Sequence, residues 1–249
     1  MSPRLTFLLR LADAPLILGQ RLSAWCGHGP ILEEDVAMAN IALDLLGQAR
    51  LLLAHAAEVE GRGRTDDDLA FSRDVLDFHN PLLVEQPNGD FADTMVRQLL
   101  FDAWQVPLLA ALKGSTDAAV AAFADKAHKE ARYHLEHSAG WVVRLGDGTD
   151  ESHRRTQAAV DRLWRFTGEL FAMDAVDGEA LDAGWGIDAT ALRPPWERTV
   201  DAVLTEATLR RPEDGWMHEG GRRGEHTEHL GHLLSEMQFM QRAYPGATW

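Results

Sequence analysis

Apolar residues recur at helical spacing along most of the chain, and no stretch sustains the period-two alternation of a half-buried strand. A first helix is predicted from about Leu5 to Trp25, with Leu8, Leu9, Leu11, Leu16, Leu18 and Leu22 on its apolar faces. Pro15 should kink it, because proline removes a backbone donor and crowds the preceding turn. Gly27-His-Gly-Pro30 ends it. A second helix follows to about Glu60, opened by Glu33, Glu34 and Asp35 near its positive pole and stopped at Gly61-Arg-Gly63. Met38, Ile41, Ala42, Leu45, Ala49 and Leu52 share one apolar stripe, with Asn40, Asp44 and Gln48 beside it, a pattern that predicts a helix deep in a core.

Asp66 opens a shorter helical segment to about Phe78, and Leu82–Gly89 reads as a loop with an Asn-Gly turn. Two further long helices are predicted, Phe91 to Lys113, with a kink at Pro107, and Ala118 to Leu145. The pattern is therefore two antiparallel hairpins of long helices joined by a long connection, which is the ferritin-like arrangement. Beyond it come a helix from Glu151 to about Ala175, a polar and glycine-rich stretch from Asp177 to Asp188, and a helix from Pro194 to Leu209. A loop from Arg210 to Gly224 and a last helix from Glu225 to Ala243, with Leu230, Leu233, Leu234, Met237 and Met240 inward, complete the chain. The expectation is an all-α fold: one domain over residues 1–249, with a four-helix core in 1–146 and additional packed helices in 151–249.

Composition narrows the function. With 249 residues, 45% of them hydrophobic, the chain can build a sizeable core. A net charge of −15 makes nucleic acid and anionic membrane poor partners. The single Cys26 forms no internal disulfide, which fits a reducing cytoplasm, and a buried thiol is its default state. Asp13 and Pro15 interrupt any signal-peptide core, and no stretch approaches the roughly 18 apolar residues of a membrane helix. Eight tryptophans are many for this length; most should be core, with some available to an interface.

The long helices carry the frame of a di-metal site without most of its chemistry. A ferritin-like site takes a Glu from each of two helices and a Glu-x-x-His from each of the other two, the three-residue spacing aiming both ligands from one face. Here the first helix offers Gln20, the second Leu45 and Gln48, the third Asp102, and the fourth Ala131 and His134. No Glu in the chain is followed three residues later by His. Leu and Ala cannot ligate a metal, and Asp102 with His134 alone cannot hold two irons. Those two are expected as a buried hydrogen-bonded pair or as separate contacts between helices, with Asp44 in the same network.

The segments Trp25-Cys-Gly-His28, Glu34-Asp-Val-Ala-Met-Ala-Asn40, Leu43-Asp-Leu-Leu-Gly-Gln-Ala-Arg50, Leu83-Val-Glu-Gln-Pro-Asn-Gly89, Lys129-Glu-Ala-Arg-Tyr-His134, Leu163-Trp-Arg-Phe-Thr167 and His226-Thr-Glu-His-Leu-Gly231 span nearly the whole chain. Through them the chain resembles the structural, non-catalytic subunits of the bacterial ring-1,2-phenylacetyl-CoA epoxidases, multicomponent monooxygenases of phenylacetate catabolism. The resemblance implies a ferritin-like fold and a tight complex with a homologous catalytic subunit that binds a di-iron centre and the coenzyme A ester. It also implies a small accessory subunit and a reductase using NADPH, flavin and an iron–sulfur centre. The present chain would support the catalytic subunit without metal, cofactor or catalytic residues of its own; isolated, it could pair as a homodimer.

Other spacings invite a metal reading and are weaker. Asp125-x-x-His128 lies six residues before Ala131-x-x-His134, which turns it about 120° away at 3.6 residues per turn, onto a solvated face. His226, His229 and His232 drift round their helix, so structural or interface use is expected. Asp150 before His153 fits the acidic preference of a helix start. An independently active metal oxygenase using unconventional ligands Asp44, Asp102, Glu130 and His134 is the alternative function, although Glu130 stands one residue off the motif position and points about 100° away.

Overall fold

The computed structural model describes residues 1–247. The fold is all-α, with no β-strand among the described residues. They form two compact units, one of Met1–Pro87 with the chain from Glu219 onward, the other of Asn88–His218.

The first unit is built on the hairpin of α1 (Pro3–Ser23) and α2 (Leu32–Glu60). Ser2 caps α1 by accepting from the Leu5 amide at 3.3 Å, and Pro3 stands where its missing N–H is not needed. Gly19 sets the closeness of the pair: a Cβ there would meet Leu46 Cγ at 3.1 Å and the Ala42 carbonyl at 3.3 Å. The predicted stripe from Met38 to Leu52 is buried throughout, each large side chain contributing about 1.5–3 kcal/mol by leaving water. Gly61, in the left-handed region at φ 67°, ends α2. Short α3 (Asp66–Phe71), α4 (Leu82–Glu85), α10 (Glu228–Met237) and α11 (Phe239–Ala243) complete the unit.

The second unit is built on the hairpin of α5 (Phe91–Leu112) and α6 (Ala118–Gly146), against which α7 (Asp150–Leu163) and α9 (Arg193–Glu206) pack, with α8 (Ala175–Asp182) between them in sequence. Asp90 and Asp93 form a capping box on α5, and Asp117 caps α6 by accepting from the Ala119 and Val120 amides. Trp196 of α9 fills the core beside Trp164 and Phe171, ring centroids 5.3 and 5.2 Å away, and its indole N–H donates to the Leu100 carbonyl at 2.9 Å. A Cβ on Gly146 would strike the Ala207 carbonyl at 2.4 Å, so glycine allows the end of α6 to meet the end of α9.

Several expectations are corrected. The segment after Asp66 is helical only to Phe71, followed by a 3-10 turn at Val75–Asp77. Leu82–Glu85, expected as loop, is one helical turn, and Ala175–Asp182 is a helix that its glycine concealed. The helix from Glu151 stops at Leu163 and gives way to 3-10 turns, while the last helix starts at Glu228 and breaks before Phe239, leaving Met240 exposed. α2 is long and apolar enough to cross a membrane, against the sequence expectation, because all its acids but Asp44 stand in its first or last turn. It is not deep on all sides: one face packs on α1, while Asn40 and several leucines are exposed. Cys26 is exposed, not buried. Fewer tryptophans are core than expected: Trp164 and Trp196 are buried, Trp25, Trp104, Trp141 and Trp185 are half-buried, and Trp216 is exposed.

Candidate functional site

In the second unit, α5 and α6 each turn a polar row into the interior. Gln98, Asp102 and Gln105 follow one another at helical spacing on α5, all buried; His134 and Ser138 do the same on α6, with the buried Ala131 three residues before His134. Asp102 is fully enclosed. Its Oδ1 accepts from Gln98 Nε2 at 2.7 Å, and its Oδ2 accepts from Ser138 Oγ at 2.8 Å. Burial drives its pKa from the ordinary carboxylate range to about 8, and the bonds from Ser138 and Gln98 only partly oppose this. At neutral pH the side chain is therefore predominantly the uncharged acid. Both partners of Asp102, Gln98 and Ser138, escaped the sequence reading; their spacing of four residues from Asp102 and from His134 was the available signal.

In the first unit, Leu45 is fully buried and Gln48 nearly so, both among the apolar residues of α2. Gln20 is half-buried and lines a cavity of about 200 Å³ with Leu16, Leu46, Arg50, Asp66 and Phe71. Asp44 is half-buried. Among the described residues, no three His, Cys, Asp or Glu side chains gather as a metal-binding group. The side chains present do not suit a di-iron centre: Leu45 and Ala131 offer no ligand, and burial holds the Asp102 carboxyl up to a pKa of about 8.

The remaining spacings have structural uses. Asp125 is exposed and pairs with Lys113 at 3.2 Å and Lys129 at 3.9 Å, as expected of a solvated face. Glu130 lies 3.8 Å from Lys126. His153 Nδ1 lies 2.7 Å from the Gly146 carbonyl, while Thr149 and Ser152 form the capping box of α7.

His226 belongs to a buried network around Glu85, a residue that sequence reasoning passed over. The Glu85 carboxylate accepts from Asn80 Nδ2 at 2.9 Å, from the Thr227 amide and hydroxyl at 2.7 Å each, and from His226 Nδ1 at 2.8 Å. The other His226 ring nitrogen lies 2.9 Å from the Phe78 carbonyl. An acceptor therefore lies at each nitrogen, a setting that suits a ring donating from both. Burial alone would lower its pKa; the bond to Glu85, the Glu85 charge and the Phe78 carbonyl outweigh burial and raise it. Arg21 Nε donates to the Glu85 carbonyl at 3.1 Å, and its Nη2 to the His229 carbonyl at 3.2 Å, tying α1 and α10 to the same turn. A second buried ion pair, Asp13 with Arg73, includes a 2.9 Å bond, and Asp13 also accepts from the His79 amide at 2.9 Å. These acids are fully bonded parts of the scaffold, not open sites.

The architecture defines an all-α, ferritin-like chain. The profile of the family described as phenylacetic acid catabolic protein matches residues 2–249. The C subunit of the 1,2-phenylacetyl-CoA epoxidase of Escherichia coli (strain K12) is 52% identical over 249 residues, which cover the whole of both chains. The chain belongs to the phenylacetic acid catabolic protein family.

Proposed function

We propose that this chain is the structural, non-catalytic subunit of a cytoplasmic phenylacetyl-CoA epoxidase, holding a homologous catalytic subunit that carries the di-iron centre and the coenzyme A ester. A small accessory subunit and a reductase with NADPH, flavin and iron–sulfur chemistry complete the complex. The full-length identity to the C subunit of an epoxidase, in a chain with Leu45 and Ala131 at the carboxylate positions, is what supports this reading. The exposed face of α2 is the surface for the catalytic partner. Leu32, Val36, Leu43 and Leu51 stand at i, i+4, i+11 and i+19 along the helix, each at least half exposed. Such a row of apolar side chains gains by being covered, and a second long helix laid along it would do so. The acidic start of α2, with Glu33 beside this row, adds a polar rim.

Co-expression with the catalytic subunit and size-exclusion chromatography test the pairing, followed by turnover of phenylacetyl-CoA with reductase and NADPH. Assembly and activity requiring both chains are the expected outcome. Full turnover by the partner alone, or oxygenation by this chain alone, would refute the assignment.

A further inference from the structure

The second unit carries an aromatic cleft that the reading above does not use. Its rim is Trp216, 76% exposed, on the irregular segment after α9. The segment is nevertheless fixed. Asp214 Oδ1 accepts from the Trp164 indole N–H at 3.0 Å, and its other oxygen pairs with Arg193. Arg211 forks onto Asp201 at 3.0 and 3.1 Å, reaches Glu197 at 3.0 Å, and lies over the Trp164 ring at 5.1 Å. The His218 amide donates to the Arg165 carbonyl at 2.8 Å; its ring stacks on Phe166 at 4.8 Å and meets the Trp216 ring edge-on at 4.3 Å. Met217 occupies the space that a Cβ on Gly168 would need, 2.8 Å away. An indole held out to water on so well-anchored a loop loses little freedom when covered, which is the property of an interface anchor.

Beside Trp216 opens a cavity of about 310 Å³, lined by Asp161, Trp164, Arg165, Glu213 and Met217. That volume is at the bottom of the range for small-molecule pockets and suits one long side chain better than a cofactor. Its charged lining is two carboxylates, Asp161 and Glu213, against one guanidinium, Arg165. The adjoining Arg193 and Arg211 are already matched by Glu197, Asp201 and Asp214. An excess of carboxylate beside an open indole selects a cation, which gains both the ion pair and the ring face. The net charge of −15 draws a basic partner to this chain from a distance.

We propose that the cleft beside Trp216 is a second docking site, which receives an arginine or lysine side chain from a basic segment of another subunit of the complex. The proposal rests on the reading of this chain as a subunit of such a complex. The full chain and its Trp216→Ala, Trp216→Phe and Asp161→Lys/Glu213→Lys variants are titrated by biolayer interferometry against the purified catalytic and accessory subunits, at low and high salt. Thermal melts show whether each variant keeps the parent fold. Trp216→Ala is expected to weaken binding to one subunit about thirtyfold, as a truncated anchor does, with Trp216→Phe retaining part of the affinity. The charge reversal is expected to abolish the salt dependence of that binding. Unchanged affinity for every subunit in Trp216→Ala, or tighter binding after charge reversal, overturns the proposal while leaving the subunit assignment standing. A parent chain that binds no subunit overturns both.

Discussion

At the scale of single residues, the decisive feature is what became of the carboxylates. Asp102 keeps its place in the interior of the α5–α6 hairpin but accepts from Gln98 and Ser138 and is held uncharged by burial. Its folded pKa of about 8 stands above the ordinary 3.8 that the unfolded chain restores. Between those values the folded state binds one more proton than the unfolded state, so stability falls as pH rises through the window. The loss begins near pH 4 and is complete above about pH 8, where both states are ionised and the folded one holds a buried charge. Asp102→Asn keeps an acceptor for one bond and removes the titration. The variant should match the parent near pH 4 and exceed it by a few kcal/mol at pH 8.5, on the order expected for a shift of several pKa units. Urea denaturation of both proteins across this range checks it; parallel profiles would mean that Asp102 is not a buried acid.

At the scale of elements, α2 carries the argument. Its inner face is a leucine and alanine surface in which Leu45 is fully buried. Leu45→Glu should lower stability by a few kcal/mol in the presence of a chelator, because it removes a fully buried side chain and encloses an unpaired acid. A thermal melt measures this, and an unaltered melting temperature would place Leu45 outside the core. The long helices α1, α2, α5 and α6 were legible to within two residues at each end, because an acidic start such as that at Glu33, Glu34 and Asp35 and stops such as Gly27 and Gly61 are local signals. What was not legible depends on distant partners. α8 buries little beyond Asp177 and Ala180, so no stripe announces it. α4 is a single turn whose buried Glu85 accepts chiefly from Thr227 and His226, more than 140 positions away by chain number. The exposed row on α2 was hidden for the opposite reason: Leu43 and Leu51 look like core until the structure shows which face α1 covers.

At the scale of the whole molecule, the chain combines a full-length likeness to an epoxidase subunit with three buried acids, Asp13, Glu85 and Asp102, each already bonded within the protein. Iron binding should therefore fail for two separable reasons. Leu45 and Ala131 offer no ligand, and the buried acid Asp102 must first lose a proton that burial holds up to a pKa of about 8. Raising the pH removes only the second obstacle, since a deprotonated Asp102 still lacks carboxylate neighbours. Anaerobic reconstitution with ferrous iron at neutral pH and again at pH 8.5, followed by desalting and elemental analysis, separates the two. Iron far below one equivalent per chain at both values is the expected outcome, with no gain on adding phenylacetyl-CoA. Stoichiometric iron appearing only at the higher pH would show that the protonated acid alone kept the metal out, and that Gln20, Gln48 and His134 supply more ligation than their chemistry suggests. Two irons at neutral pH, lost on replacing Asp102 or His134, would restore the alternative of a metal oxygenase active on its own.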